Sequence, residues 1–145
     1  MPIHCEIVSQ DRIVYRGDPD IVVLPGGEGM MGILPNHTPL LTVLQFGIIT
    51  VRTKNQEEYF TVAGGIAEVQ PDQVTVLADA AENVEEIDIQ RAEDARQRAE
   101  ELLKSGIGAD SDRYLAIQSA LRRSTLRIDA ARRFRSSQRL RSRNQ

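Results

Sequence analysis

The chain has 145 residues, 41% apolar and 27% charged, with no Trp and a formal net charge of −3. That suffices for one domain, or for one small domain plus an appendage. It excludes a membrane-spanning helix, because no apolar run approaches the roughly 18 residues one needs. The opening MPIHCEIVSQ lacks the basic-then-apolar layout of a signal peptide, so a cytosol-facing protein is expected, one that can still dock on a membrane complex. The single Cys5 has no internal disulfide partner and sits in an apolar-alternating run, as a small buried hydrophobe does. With only His4 and His37 beside it, the chain has no metal-ligand spacing, and a zinc site is not expected.

Up to about residue 84 the apolar residues alternate or cluster in short runs rich in Val, Ile, Thr and aromatics. HCEIVS, RIVYRG, DIVVLP, MMGILP, LTVLQFGIITVRT, EEYFTVAGGIAEVQ and QVTVLAD read as strands, punctuated by Gly, Pro, Asn and Asp. VQPDQV reads as a tight hairpin turn with Pro71 at the position where a fixed φ helps. Gly47 suits a kink in a long strand, and Gly64-Gly65 a bulge or a close backbone approach. Many short strands with no helix between them imply an antiparallel sandwich or barrel.

From about residue 85 the period changes to that of a helix. Ala92, Ala95, Ala99, Leu102 and Leu103 follow a 3-4 spacing, with Glu, Asp and Arg on the other face. Asp88 can cap this helix, in competition with a capping box made by Asn83 and Glu86. KSGIGADSD then breaks the pattern, with Gly106 and Gly108 free to take positive φ and Asp110 or Ser111 able to cap a new helix. That helix is expected from about Arg113 to the mid-130s, with Tyr114, Ile117, Leu121, Ile128 and Ala131 near one face and a frayed tail SSQRLRSRNQ. The fold class is therefore α+β: an antiparallel β-sandwich over 1–84, then an antiparallel α-helical hairpin over 85–145. The hairpin's apolar stripes are narrow and Ala-rich, so at about 25 cal/mol per Å² its interface is marginal.

Charge is unevenly spread. Residues 1–84 hold 4 basic and 11 acidic residues, residues 85–119 hold 5 and 9, and residues 120–145 hold 9 arginines against Asp129 alone. The last block seeks an acidic partner or a phosphate. Nucleic acid fits less well, because few aromatics are interleaved and the rest of the chain is acidic, and a membrane-surface helix lacks large apolar side chains. An acidic protein surface or a polyphosphate fits best. The Gly-rich PGGEGMMG, Pro25 to Gly32, lacks the Lys-Ser/Thr pair and following helix of a phosphate loop. Met30 and Met31 in it are either an exposed, adaptable tip or core. His37 has no nucleophile or carboxylate specifically aimed at it, and no catalytic residue is assigned.

In order, GILPNHTPLL, VAGGIAEVQPDQVTVLADAAE and IDIQRAEDARQRAEELL resemble the epsilon-subunit family of bacterial F-type ATP synthases, and the likeness runs from Ile3 into the second helix. The resemblance implies a sandwich at the foot of the rotor stalk, bound to the gamma subunit and the c-ring, with Glu28, Met30, Met31 and His37 as stalk or c-ring contacts. It implies a non-catalytic role, coupling the catalytic head to the proton-driven ring. It implies a mobile hairpin that, when extended towards the alpha and beta subunits, blocks ATP hydrolysis, with Arg122, Arg132 and Arg133 available to an acidic segment of beta. It also implies a regulatory ATP, with or without Mg²⁺, on the folded hairpin. Ile87, Asp88, Arg91 and Ala92 match the family's nucleotide motif, Glu82 the acidic residue before it, Arg98 a further arginine, and Arg123 and Arg127 the phosphate-facing pair. Two arginines at i and i+4 share a helix face and can clamp a triphosphate. The location implied is peripheral, on the cytoplasmic face of the inner membrane, with membrane contact only through the complex and no nucleic acid. The alternative from the residues alone is a free-standing anion or nucleic-acid module built on the Arg-rich helix.

Overall fold

A computed structural model describes the backbone of residues 2–106 and 111–143, and the side chains of 2–106 and 112–135. The chain divides into two compact units, Met1–Asn83 and Val84–Gln145.

The first unit is all strand. Its elements are β1 His4–Val8, β2 Ile13–Gly17, β3 Ile21–Gly26, β4 Gly29–Ile33, β5 Leu40–Thr53, β6 Gln56–Val69, β7 Gln73–Ala78 and β8 Ala81–Asn83. They pair in the order β2-β1-β7-β6-β5-β3-β4, with β8 on β6. The long hairpin β5–β6 is paired from Leu40↔Val69 to Thr53↔Gln56 and serves both layers of the sandwich. The last part of β6 pairs with β7, and its first part pairs with β8. At the junction stand Gly64 and Gly65, both at positive φ, with Gly65 the first residue paired to β7. Inward-facing residues change parity across this point, Phe60 and Val62 before it and Ala67 and Val69 after it. A strand can hand its apolar set from one layer to the other only by such a one-residue shift, which glycine permits. The core closes around Ile3, Ile7, Leu24, Ile33, Ile49 and Phe60, all at 0% exposure. Tyr15 meets Phe60 edge-on, with centroids 5.5 Å apart.

Two points differ from the sequence expectation. Within the otherwise antiparallel pairing β1 runs parallel to β7, lying between β7 and its antiparallel neighbour β2. Gly47 keeps ordinary strand geometry. A Cβ there would lie 2.8 Å from Pro25 Cβ, so it serves close approach of β3 to β5 rather than a kink. The turn at Pro71-Asp72 is tight as expected, closed by Gln70 N to Gln73 O at 2.7 Å.

The second unit opens with a 3-10 turn, Val84–Glu86, followed by α1 Ile89–Lys104 and α2 Ser111–Arg143. Asp88 is the N-cap, accepting a hydrogen bond from the Arg91 amide at 3.1 Å. Of the two candidate caps it is thus Asp88 that starts α1, while Glu86 belongs to the 3-10 turn and Asn83 pairs with Phe60 in the sheet. α1 ends as Ser105 N reaches Glu101 O and Gly106 takes φ 72. Gly108 and Asp110 lie outside the described residues, as does the Ser111 side chain. α2 runs to Arg143 rather than ending in the mid-130s with a frayed tail. Its 33 residues contain no Gly or Pro to stop it.

The buried positions are Ala92 and Ala99 on α1, and Ile117, Ser124, Ile128, Ala130 and Ala131 on α2. Leu102 and Tyr114, expected on the stripe, are exposed at 37% and 41%. The seam is therefore mostly alanine and serine, with Ile117 and Ile128 the large side chains buried on α2, and is narrower than the sequence suggested.

Candidate functional site

Within the hairpin, Asp88, Arg91, Ala92 and Arg98 take distinct places. Ala92 is fully buried, and Ile87 is 3% exposed just before the cap. Arg91 and Arg98 are exposed. Successive residues turn by about 100°, so relative to the buried pair Ala92 and Ala99, Arg91 and Arg98 fall on one side of the seam together with Asp88, and Glu93 falls on the other. Applied to α2 about Ser124, Ile128 and Ala131, the same count sets Arg123 and Arg127 on one flank and Arg132 on the other. Arg132 Nη2 donates to Glu93 Oε1 across the hairpin, which fixes how the flanks meet. Moving five residues up α1 from Glu93 and five down α2 from Arg132 brings Arg98 level with Arg127. The sequence-expected Asp88, Arg91, Arg98, Arg123 and Arg127 thus border one groove of the hairpin. Arg123 Nη1 donates to Ser119 Oγ at 3.0 Å along its own helix. Glu82 belongs to β8 in the sandwich unit, where its carbonyl lies 3.4 Å from Thr61 Oγ1.

The other flank of the hairpin is occupied by the Glu93–Arg132 pair. At the entry end of the seam, in line with Ile128 and Ala131 by the same count, Arg135 Nη2 donates to the carbonyl oxygens of Glu85 at 3.0 Å and Ile87 at 2.5 Å. Arg133 Cζ lies 5.3 Å from the Phe134 ring centroid, and Arg122 is exposed. Arg132, expected to serve an external acidic surface, here pairs with an acid of its own hairpin. Arg135 has no counterpart in the sequence expectation. Its bonds are to backbone carbonyls, which leave no trace in side-chain patterns.

In the sandwich, the β3–β4 hairpin turns through Gly27-Glu28, with Gly26↔Gly29 closing it and Gly29 at φ 136. Met30 is 61% exposed, whereas Met31 packs partly against the core. The two open alternatives for this pair thus divide between them. Glu28, Met30 and Met31 line a depression of ≈ 410 Å³ together with Leu40, Thr42 and Val43. His37 does not line it; its Nδ1 donates to the Thr38 carbonyl at 2.7 Å. Burial pushes the Cys5 thiol up to about 12, so no thiolate nucleophile forms there.

Sequence reading missed a further surface. The cross-strand register runs Val43↔Ile66, Ile66↔Leu77, Leu77↔Val8 and Val8↔Ile13. Val43, Ile66, Leu77 and Ile13 are 63%, 40%, 51% and 49% exposed. This aliphatic row crosses five strands, about 20 Å at the usual strand spacing. The signal was present: LLTVL in β5 carries apolar residues at both parities, so both faces of the strand need cover. Among the described residues no helix is long and apolar enough to cross a membrane, and no group of three or more His, Cys, Asp or Glu could hold a metal.

Comparison with known proteins matches both units. The family described as ATP synthase, Delta/Epsilon chain, beta-sandwich domain covers residues 2–84, and the long alpha-helix domain of the same family covers residues 85–132. The chain belongs to the ATP synthase delta/epsilon chain family. Among relatives named ATP synthase epsilon chain, that of Moorella thermoacetica is 43% identical over 131 residues, covering 89% of this chain and 96% of its own. That of Herpetosiphon aurantiacus is 41% identical over 138 residues, covering 95% and 100%. The family fold recurs at lower identity in a chain of the Euglena gracilis mitochondrial ATP synthase, at TM-score 0.69 and 23% identity over 83% of this chain and 76% of that one. A chain from the central stalk and c-ring of the Tetrahymena thermophila enzyme gives TM-score 0.51 and 17% identity over 59% and 69%. The family's helix domain ends its match at residue 132, so Arg135 lies past it.

Proposed function

We propose that this chain is a rotor-stalk subunit that couples the catalytic head of an F-type ATP synthase to its c-ring and restrains ATP hydrolysis through a mobile hairpin. The observation that carries the regulatory part is the convergence of Asp88, Arg91, Arg98, Arg123 and Arg127 on one groove of a hairpin whose seam is mostly alanine and serine. Such a seam buries little area, so the closed state needs help from a ligand or a contact. An ATP triphosphate fits Arg123 and Arg127, which share a face, while the Asp88 carboxylate can accept from the adenine amine or ribose hydroxyls. Ala92 has the size the seam requires, and a larger residue would part the helices. ATP, with or without Mg²⁺, acts here as a regulatory ligand. At ~100 times its Kd a ligand adds about 2.7 kcal/mol to the state it binds, enough to shift a marginal hairpin.

The sandwich supplies the docking surfaces. The Met30 tip with Leu40 and Val43 suits the c-ring, and the rest of the aliphatic row, Ile66, Leu77 and Ile13, suits the gamma subunit, since exposed contiguous apolar patches mark interfaces. The open hairpin offers its basic second helix to acidic surface on the beta subunit, as arginine forks suit carboxylates. The subunit does no chemistry of its own and reaches the cytoplasmic face of the membrane only through the complex. Reconstitution tests the reading: an enzyme assembled with residues 1–84 alone should couple normally but hydrolyse ATP without restraint. Unchanged inhibition after that deletion would remove the regulatory role.

A further inference from the structure

We propose that Arg135, which continues the line of the seam, seconded by the Glu93–Arg132 ion pair on the flank opposite the nucleotide groove, is a latch that holds the hairpin shut independently of nucleotide. Arg135 Nη2 reaches two carbonyl oxygens at once, those of Glu85 and Ile87, 3.0 and 2.5 Å away. Both belong to the backbone leading into α1, one in the 3-10 turn and one immediately before the Asp88 cap. One guanidinium therefore ties α2 to the entry of α1, at the end of the hairpin farthest from its turn. A tie there has the longest lever arm against opening. One turn along α2, Arg132 meets Glu93 in the second turn of α1.

The two ties differ in strength. The Glu93 and Arg132 side chains are 33% and 58% exposed, and an exposed pair of this kind changes a population by only about twofold. Hydrogen bonds from a charged donor to carbonyls are stronger and change it by about tenfold. Because Arg135 also holds the Ile87 carbonyl, it positions the first residues of the nucleotide motif without touching the nucleotide. The latch stands on hairpin geometry alone, and only its consequence for hydrolysis rests on the regulatory reading above.

Spin labels on Gln90→Cys and Asp129→Cys in the full chain report the opening, with buried Cys5 silent. Without nucleotide, Arg135→Gln should raise the open fraction about tenfold, Glu93→Gln about twofold, and Arg135→Lys by an intermediate amount, since lysine keeps the charge but its shorter side chain falls short of where Nη2 reaches. Should Arg135→Gln fold poorly, Arg135→Lys and Glu93→Gln decide the matter. Distance distributions equal to wild type in the well-folded variants would overturn the latch. If the variants open but leave hydrolysis restrained as before, the latch stands and the regulatory reading fails. If they stay closed while deletion of residues 85–145 abolishes restraint, the latch fails and the regulatory reading stands.

Discussion

Gly65 shows what a single residue decides in this fold. It sits at φ +133, and a Cβ there would lie 2.4 Å from the Leu77 carbonyl oxygen and 2.8 Å from Ala78 Cα. Backbone cannot yield as a flexible side chain can, so strain and overlap add. Gly29 is at φ +136, and a methyl group there would meet nothing within 4 Å, so only the conformational cost applies. Gly65→Ala should destabilise the chain by about 3 kcal/mol or more, and Gly29→Ala by about 1 kcal/mol. Urea unfolding of the two variants checks the order, and equal midpoints would show that the β6–β7 approach is not tight. The sequence marks Gly64-Gly65 as a bulge or a close approach. Only the structure shows that the pair also transfers β6 between layers.

At the scale of elements, the hairpin carries opposed arginines on its two flanks. Arg91 and Arg127 border the groove proposed for nucleotide, and there each should supply charge-assisted hydrogen bonds to a bound ATP. Arg91→Ala and Arg127→Ala should each weaken ATP binding about tenfold or more in calorimetry of the isolated chain, while Arg143→Ala, at the last residue of α2, should leave it unchanged. Absence of heat at millimolar ATP would remove the clamp and leave the family assignment intact. The groove was legible because i, i+3 and i+4 spacings translate directly into helix faces. The latch was not, because carbonyl acceptors are the same at every residue and only tertiary proximity singles out Glu85 and Ile87.

For the molecule as a whole, the two units differ in how they are held. The sandwich has its own core, in which Ile3, Cys5, Phe60 and Val76 are all at 0% exposure. The hairpin rests on an alanine-rich seam and a few charged ties. Residues 1–83 alone should therefore fold and melt cooperatively within a few degrees of the full chain's sandwich transition. A dispersed NMR spectrum of that fragment is the expected outcome, and a collapsed one would mean that the helices complete the core.

Alternation, the change of period near residue 85 and the Asp88 cap are local properties, and local chain chemistry alone determined the strands, the helices and the order of the two units. The parallel pairing of β1 with β7 and the division of Met30 from Met31 were decided by tertiary structure. So was the aliphatic row from Val43 to Ile13, since a sequence shows that a residue is apolar but not which strand stands beside it. The same holds for Arg132 and Arg135. Their charge was plain from composition, yet whether a guanidinium serves an external partner or its own hairpin depends on which acceptors the fold brings within about 3 Å.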